Sequence, residues 1–370
     1  MRGAWLERRE ETPVQRLALS PLVPVSWLYA AGARLDRKRY EAGWRRQQRL
    51  AARVISVGNL VVGGAAKTPL AAWLAAALAR RGHKVALLSR GYGRSGRGAV
   101  EIVSDGRRVL GSSRETGDEP MLLAALAPGV PVLVGRDRGT AGLRAFAAFG
   151  ADVLLLDDGF QHHRLHRDLD LVCFDGGLGF GNRRVLPRGP LREPLSALSR
   201  ADGIAVVDGP LPESDAALLA RHAPGAPRFE ARRRPRGLRP LGGPRELRPV
   251  EGLAGARLGL LAGLARPGAV RRTLEALGAE VVAERLFPDH HRYRPEDLRG
   301  LADEAPHWIT TEKDAVKLVP AWAGEARVDV LAIEVAVTEP DALLDWIERR
   351  LRQSPGSVPG ALPAGAGGPR

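Results

Sequence analysis

Short apolar segments recur along the chain and alternate with amphipathic ones. In the first half, buried strands are predicted at residues 54–58, 84–90, 130–134, 151–157, 169–175 and 201–207. The alanine-rich segment from Leu70 to Ala79 predicts a helix between the first two of these strands. Strands that alternate with helices are typical of an α/β fold, in which a mostly parallel sheet carries helices on both faces.

The alternation stops where proline, glycine and arginine dominate, at residues 223–250, and then resumes. Further strands are predicted at 258–264, 280–286 and 328–335, and a last helix at 340–351. We therefore expect a helical N-terminal region (1–52), a first α/β domain (53–222), a linker or hairpin (223–250), a smaller second α/β domain (251–352) and a disordered tail (353–370).

The N-terminal region combines an uncharged segment with a basic one. Residues 17–33 carry no charge and include Pro21 and Pro24, which we expect to break a regular helix, and a basic cluster follows at 34–49. A signal peptide has the opposite order, with its positive charges first. The pattern favours a membrane-associated element on the cytoplasmic face, peripheral or monotopic, with the basic cluster on anionic headgroups. A helix that packs on the first domain is the alternative.

The chain as a whole is basic. Its 56 Lys and Arg against 42 Asp and Glu give a net charge of +14, and such an excess attracts nucleic acid or an anionic membrane surface. We expect no nucleic-acid partner, because the arginine-rich stretches lack interleaved aromatic residues on a recognisable binding module. The single cysteine, Cys173, excludes a disulfide framework and a cysteine metal cluster.

A phosphate loop is predicted between the first strand and the alanine-rich helix. Such a loop holds phosphates on backbone N–H groups, with a lysine on the β and γ phosphates and a hydroxyl on magnesium (Mg²⁺). The candidates are Gly63, Gly64, Ala65, Ala66, Lys67 and Thr68. The match is imperfect, because Val61 and Ala66 replace the two glycines of the usual pattern, and an ordinary strand–helix turn is the alternative. With this loop, the first domain is P-loop NTPase-like.

Two adjacent carboxylates, Asp157 and Asp158, follow the nearly unbroken apolar run at 151–156. A Walker-B strand presents its Mg²⁺ ligands opposite the phosphate loop in this way. Three histidines lie close by, at 162, 163 and 166. They lack a carboxylate or cysteine at standard zinc spacing, which disfavours a zinc site.

Several motifs can be compared with known families. They are Ser56–Asn59 with Gly63-Gly64 and Lys67–Pro69, Ser89–Gly93, Gly117–Pro120, Asp157–His162, Leu186-Pro187 with Gly189–Pro194, Ala262-Gly263, Phe287–His291 and Thr310–Asp314. Together they resemble the tetraacyldisaccharide 4'-kinase family of lipid A biosynthesis. The resemblance implies transfer of the γ-phosphoryl group of ATP to the 4'-hydroxyl of a tetraacyldisaccharide 1-phosphate. We expect a monomer at the cytoplasmic face of the inner membrane, with an anionic membrane surface as a partner.

The resemblance also implies roles for individual residues. Nucleotide contacts are expected from Gly63, Gly64, Ala65, Ala66, Lys67, Thr68 and Gln161. The Mg²⁺ ligands and their acidic shell are expected to be Thr68, Asp157, Asp158, Glu119 and Glu193. The catalytic residues are expected to be Asp118, His290, Lys67 and Arg138. In this scheme Asp118 accepts the proton of the sugar hydroxyl, His290 orients it, and Arg138 stabilises developing phosphate charge.

The main departure from the family pattern is Ala66. It replaces a glycine that lets the backbone approach phosphate, so its methyl group crowds the loop or forces a positive φ. A membrane-associated nucleotide-binding protein with a degenerate phosphate loop and little or no turnover is therefore the alternative, although Asp118 and His290 favour the enzyme. An oxidoreductase is disfavoured, because a strand-like segment rather than a helix follows the Gly-x-Gly-x-x-Gly at 91–96.

Overall fold

One continuous sheet dominates the computed structural model, which describes residues 11–63, 66–96 and 98–354 of the 370-residue chain. Within these residues the sheet has twelve strands: β1 (Arg53–Gly58), β2 (Val85–Ser89), β3 (Val100–Asp105), β4 (Pro131–Gly135), β5 (Val153–Asp157), β6 (Leu169–Asp175), β7 (Gly203–Val207), β8 (Arg228–Pro240), β9 (Arg257–Gly263), β10 (Glu280–Phe287), β11 (His307–Thr311) and β12 (Arg327–Val337).

The strands follow the order β10-β9-β11-β12-β8-β7-β6-β1-β5-β2-β4-β3 across the sheet. Pairing is antiparallel between β3 and β4 and between β8 and β12, and the other neighbours are parallel. The predicted mostly parallel sheet is confirmed. β3 also confirms the strand that was expected after the glycine-rich segment at 91–96.

Helices cover both faces of the sheet. In chain order, the helices of the described residues are α1 (Pro13–Ala18), α2 (Leu22–Glu41), α3 (Lys67–Arg80), α4 (Ser113–Thr116), α5 (Asp118–Leu126), α6 (Arg138–Phe149), α7 (Glu213–His222), α8 (Pro267–Ala276), α9 (Leu301–Glu304), α10 (Glu312–Ala315) and α11 (Pro340–Gln353). One core joins α3 and α5 to one face of the first-half strands, through residues such as Leu70 and Leu155, and α6 covers the other face. Smaller cores around Leu260 and Trp308 line the two faces of the second half.

In the segment 223–250, predicted as a linker or hairpin, β8 occupies residues 228–240, and Leu238 at its end pairs antiparallel with Arg248 as in a hairpin. This strand pairs in parallel with β7 and antiparallel with β12, so it joins the two halves of the sheet. Its arginine side chains point mostly to solvent, and few of its residues, such as Ala231 and Leu238, are buried. Backbone pairing on both sides therefore holds this strand in the sheet. Because it contains no apolar run, the hydrophobic pattern of the sequence does not predict it.

The last helix also departs from the predicted division into domains. α11 falls within the predicted second domain, yet Leu343, Leu344 and Ile347 belong to the core beneath α3 and β6. Arg81 at the end of α3 pairs with Asp341 and Asp345 of α11, at 2.8 and 2.5 Å. The last described helix thus packs against the first half of the sheet. The predicted tail at 353–370 lies largely outside the described residues.

The N-terminal helices expose an apolar face. α2 is a regular helix of 20 residues, contrary to the expected break, because Pro21 is its N-cap and Pro24 lies in its first turn, where backbone N–H groups have no helical acceptor. The side chains of Trp27 and Leu28 are 68% and 75% exposed. Ser26 faces the protein instead, and its hydroxyl donates to the carbonyl of Val185 at 2.9 Å. In the part of the chain that the structure describes, no helix has both the length and the apolar character needed to cross a membrane.

Candidate active site

The loop after β1 leads into α3, whose first residue is Lys67. Ala66 is the N-cap of this helix and lies in the left-handed region, with φ 54° and ψ 24°. Of the two effects expected from alanine at this position, a crowded loop or a positive φ, the structure has the positive φ. This region costs a residue that carries a Cβ about 1–2 kcal/mol. Gly63 has φ 113°, while Gly64 and Ala65 lie outside the described residues.

The end of β5 brings two carboxylates to this loop. β5 pairs in parallel with β1, with Asp157 opposite Val57, so the two strands end at the same edge of the sheet. The hydroxyl of Thr68 donates to Oδ2 of Asp157 at 3.0 Å. Nζ of Lys67 lies 3.5 Å from Oδ1 of Asp158. The Lys-Thr pair and the acidic pair therefore face each other.

Asp157 has the properties of a cation ligand. Burial raises the pKa of its carboxyl to about 7, and the charges of Glu119 and Asp158 act in the same direction. Its Oδ1 is buried and has no hydrogen-bond partner among the described residues. Such an oxygen, beside the Thr68 hydroxyl and further carboxylates, fits a hard divalent cation such as Mg²⁺.

The protein supplies only part of a Mg²⁺ coordination shell. Among the residues described, no three His, Cys, Asp or Glu side chains converge closely enough to hold a metal alone. Mg²⁺ in phosphoryl-transfer sites is usually held by one or two carboxylates together with substrate phosphates and water. The donors beside Asp157 match that pattern.

Asp158 is paired with two cations. Nη1 of Arg192 lies 2.7 Å from its Oδ2 and 2.9 Å from its Oδ1, the oxygen that Lys67 also approaches. The same Nη1 reaches Oε1 of Gln161 at 3.3 Å, and Nε2 of Gln161 donates to the carbonyl of Asn59 at 3.0 Å. Arg192 thus fixes a carboxylate and an amide beneath the phosphate loop.

A carboxylate–imidazole pair forms between the two halves of the sheet. Asp118 is the first residue of α5, after Gly117 with φ 99°. A Cβ at Gly117 would lie 3.0 Å from the carbonyl oxygen of Tyr92, so this turn requires glycine. His290 follows β10, and its Nδ1 lies 3.4 Å from Oδ2 of Asp118. The residue after Asp118 is Glu119, whose charge acts on Asp157, so the pair lies near the acidic edge.

Arg138 is a buried cation at the start of α6. Burial, together with the nearby charge of Arg90, lowers the pKa of its guanidinium to about 10. The charges of Asp157 and Asp158 favour its charged form. Its Nη1 donates to a backbone carbonyl, whereas its Nε is buried and no described residue accepts a hydrogen bond from it. A guanidinium in this position can stabilise additional negative charge beside the two carboxylates.

Comparison with known proteins identifies the family to which this site belongs. The model of the tetraacyldisaccharide-1-P 4'-kinase (LpxK) family matches residues 18–352 of the chain. The chain belongs to the tetraacyldisaccharide 4'-kinase family.

Relatives and a solved structure agree with this assignment. A tetraacyldisaccharide 4'-kinase of Anaeromyxobacter sp. (strain Fw109-5) is 47% identical over 337 residues, which cover 87% of this chain and 88% of the relative. One of Syntrophus aciditrophicus is 41% identical over 353 residues, with 89% and 91% covered. The crystal structure of LpxK from Aquifex aeolicus in complex with ATP has a TM-score of 0.72 and 33% identity, covering 90% of this chain and 99% of that one.

Most of the residues that the kinase family resemblance implied lie around one edge of the sheet. Direct contacts or electrostatic coupling join Lys67, Thr68, Asp157, Asp158, Glu119 and Arg138, and a second contact joins Asp118 to His290. Glu193 differs, because both of its oxygens accept hydrogen bonds from Arg200, at 3.0 and 2.9 Å. No contact described here joins Glu193 to Thr68 or Asp157, so its metal role stays a prediction without a supporting contact.

Sequence reasoning missed two residues of this kinase-family site. Arg192 lies inside the recognised motif at 189–194, but nothing in the motif indicates that it binds Asp158. Lys317 lies one turn after the motif at 310–314, and its Nζ is 3.9 Å from Asp118. A compositional signal was present. The chain has five lysines among 56 basic residues, and those at 67, 313 and 317 lie in or beside the site.

Proposed function

We propose that this chain transfers the γ-phosphoryl group of ATP to the 4'-hydroxyl of a tetraacyldisaccharide 1-phosphate. The family assignment gives the substrate class, since its members carry that activity in their names. The observation that carries the proposal is the 3.4 Å contact between Asp118 and His290 near the acidic edge of the phosphate loop, which supports a role for Asp118 as a base. A protein that only bound nucleotide would have no use for this pair.

The proposed reaction needs one proton transfer and one phosphoryl transfer. Asp118 accepts the proton of the 4'-hydroxyl, whose oxygen forms a bond to the γ phosphorus while the bond from that phosphorus to the β–γ bridging oxygen breaks, leaving ADP. His290 holds the carboxylate of Asp118 in place. Lys67 leaves Asp158 to contact the β and γ phosphates, and Arg138 stabilises charge that develops on the transferred group.

The metal requirement rests on the residues at the end of β5. Thr68 and Asp157 would hold Mg²⁺, which neutralises phosphate charge when it is bound. Asp158 and Glu119 would surround that site with negative charge. Gln161 would contribute through its position under the loop, where Arg192 and the carbonyl of Asn59 hold it.

We infer that the enzyme meets its lipid substrate at the cytoplasmic face of the inner membrane, as a monomer. Trp27 and Leu28 expose apolar area on α2, while Ser26 anchors the opposite side of the helix to the protein. Basic residues from 34 to 49 follow the apolar segment and would lie on anionic headgroups. Residues that bury apolar area and basic residues that neutralise phosphate suit a peripheral or monotopic attachment.

The test is transfer of ³²P from γ-labelled ATP to the disaccharide in mixed micelles, with and without Mg²⁺. A 4'-deoxy acceptor distinguishes the proposed hydroxyl from any other. We expect Mg²⁺-dependent labelling of the natural acceptor alone, its loss in Lys67→Met, and normal labelling in Lys84→Met, which removes one exposed lysine elsewhere. Nucleotide binding without any labelling by the unmodified chain would support the nucleotide-binding alternative.

A further inference from the structure

Lys317 is a buried cation behind the proposed base. Its side chain is 5% exposed, and its Nζ lies 2.9 Å from Oδ1 of Asp314 and 3.9 Å from Oδ2 of Asp118. The ring of Tyr293 lies on another side, with its centroid 5.1 Å from Nζ. An ammonium group in this position is enclosed by two carboxylates and an aromatic face, so little room remains for it to move.

Asp314 fixes this lysine from the second half of the sheet. It is fully buried, and its Oδ2 accepts hydrogen bonds from the backbone N–H of Gly263 at 3.1 Å and from the hydroxyl of Thr311 at 2.8 Å. These partners belong to the ends of β9 and β11, which are neighbouring strands. The position of Nζ of Lys317 is therefore set by the sheet rather than by a surface loop.

The choice of lysine is informative in this chain. Arginine supplies nearly all of its 56 basic residues, and only five are lysine. Lysine is a compact point charge, whereas arginine has a broad planar fork. A lysine kept at 317, between two carboxylates in an enclosed space, indicates that the size of the cation matters there.

We propose that Lys317 is a positioning residue, which holds the carboxylate of Asp118 in the orientation needed to receive the proton of the acceptor hydroxyl. This inference rests on the proposed function. In the described structure two groups contact the side chain of Asp118, His290 and Lys317. Both come from the second half of the sheet. The relative placement of the two halves then controls whether the base is aligned. The competing explanation is that Lys317 only neutralises the buried charge of Asp314.

The first measurement is steady-state kinetics of Lys317→Met, with Lys84→Met as the charge-matched surface control. Displacement of a catalytic group by about 1 Å costs roughly 10²-fold in rate, so we expect kcat to fall by about that factor. The KM values for ATP and lipid should stay within about twofold, because Lys317 contacts the base and not the binding groups. Wild-type kcat in Lys317→Met would overturn the proposal.

The double variant Asp314→Asn/Lys317→Met separates positioning from charge balance. It removes both members of a buried ion pair, which proteins tolerate better than the loss of one, so it also keeps the test valid where Lys317→Met alone does not fold. If Lys317 positions Asp118, the double variant still has the low kcat. If the double variant instead recovers the wild-type kcat, the only role of Lys317 is to neutralise Asp314, and the proposal is overturned.

A double-mutant cycle that combines Lys317→Met with Asp118→Asn shows whether Lys317 acts through Asp118. In single-turnover assays, Lys317→Met should change the rate by less than about twofold once Asp118 is already replaced. A second loss of about 10²-fold in that background would mean an action independent of Asp118, and would overturn the proposal. Failure of the proposed function is a different result, because the unmodified chain would then transfer no phosphoryl group to the lipid.

Discussion

The hydroxyl of Thr68 donates to Oδ2 of Asp157 at 3.0 Å, while Oδ1 of the same carboxylate is buried and finds no hydrogen-bond partner in the part of the chain that the structure describes. The phosphate-loop helix and the acidic strand are thus already joined by one hydrogen bond. The second oxygen is available to a cation. Burial and the neighbouring charges of Glu119 and Asp158 outweigh this hydrogen bond, so before a cation binds the folded protein disfavours the charged form of Asp157.

Asp157→Asn should therefore stabilise the metal-free protein at high pH. Burial raises the pKa of Asp157 from 3.8 to about 7 on folding, so the folded state holds an extra proton between these values and loses stability as pH rises through them. The difference in unfolding free energy between Asp157→Asn and wild type should grow from about pH 4 to about pH 7 and then stay constant, reaching about 2–4 kcal/mol.

Urea denaturation at a series of pH values measures this difference. The exposed Asp303→Asn serves as the reference for a surface carboxyl. Mg²⁺ together with a nucleotide should stabilise wild type above pH 7 and reverse the order of the two proteins, since only wild type offers the carboxylate. A difference that does not change with pH would refute the account of Asp157.

Ala66→Gly should stabilise the protein. Ala66 lies at φ 54°, where a Cβ costs about 1–2 kcal/mol and glycine pays no such penalty. Glycine also gives the unfolded chain more conformational entropy, which offsets part of this gain. We therefore expect a net increase of about 0.5–1 kcal/mol in unfolding free energy.

The matched control for Ala66→Gly is Ala76→Gly, the same chemical change within the regular helix α3. There glycine should destabilise by about 1 kcal/mol. Chemical denaturation of both variants should give effects of opposite sign. Destabilisation by Ala66→Gly would mean that the alanine methyl group contributes packing that outweighs its backbone strain.

The sequence predicted the parts of this molecule that depend on continuous burial. Parallel strands such as β5 and β6 are buried on both faces, so they are mostly apolar and easy to recognise. β8 has backbone partners on both sides but an arginine-rich surface, and no hydrophobic pattern marks it. Pro21 and Pro24 were misjudged because their effect depends on where α2 begins, which periodicity locates poorly.

The candidate site was predictable only in part for a similar reason. Lys67, Thr68 and Asp157 follow local patterns, a loop before a helix and a carboxylate after a strand. Asp118 and His290 are 172 residues apart, and no spacing shows that they meet. The family resemblance supplied that pair. Lys317 was missed because its role follows from three-dimensional enclosure.

Exposed apolar residues of α2 should govern membrane binding. Replacing Trp27 and Leu28 by serine should weaken binding to vesicles that contain anionic lipid by at least about tenfold, since burial of one such side chain contributes about 1.5–3 kcal/mol. Both side chains are largely exposed, so the unfolding free energy should barely change.

Vesicle sedimentation at two salt concentrations measures this effect. Leu110→Ser removes an exposed apolar side chain elsewhere, 56% exposed, and should leave vesicle binding unchanged. Higher salt should weaken binding of the wild type, because the basic residues at 34–49 act by charge. Equal vesicle binding by the Trp27/Leu28 variant and wild type would assign attachment to another surface.

The central claim, that Asp118 is the base of a phosphoryl transfer and that His290 acts through it, is tested most directly by single-turnover transfer rates. Asp118→Asn should lower the rate by about 10²–10⁴-fold while ATP affinity is retained. His290→Asn should lower it less, and the double variant should be no slower than Asp118→Asn alone. If Asp118→Asn transfers the phosphoryl group at the wild-type rate with ATP bound, the proton is accepted elsewhere and the account of this site is contradicted.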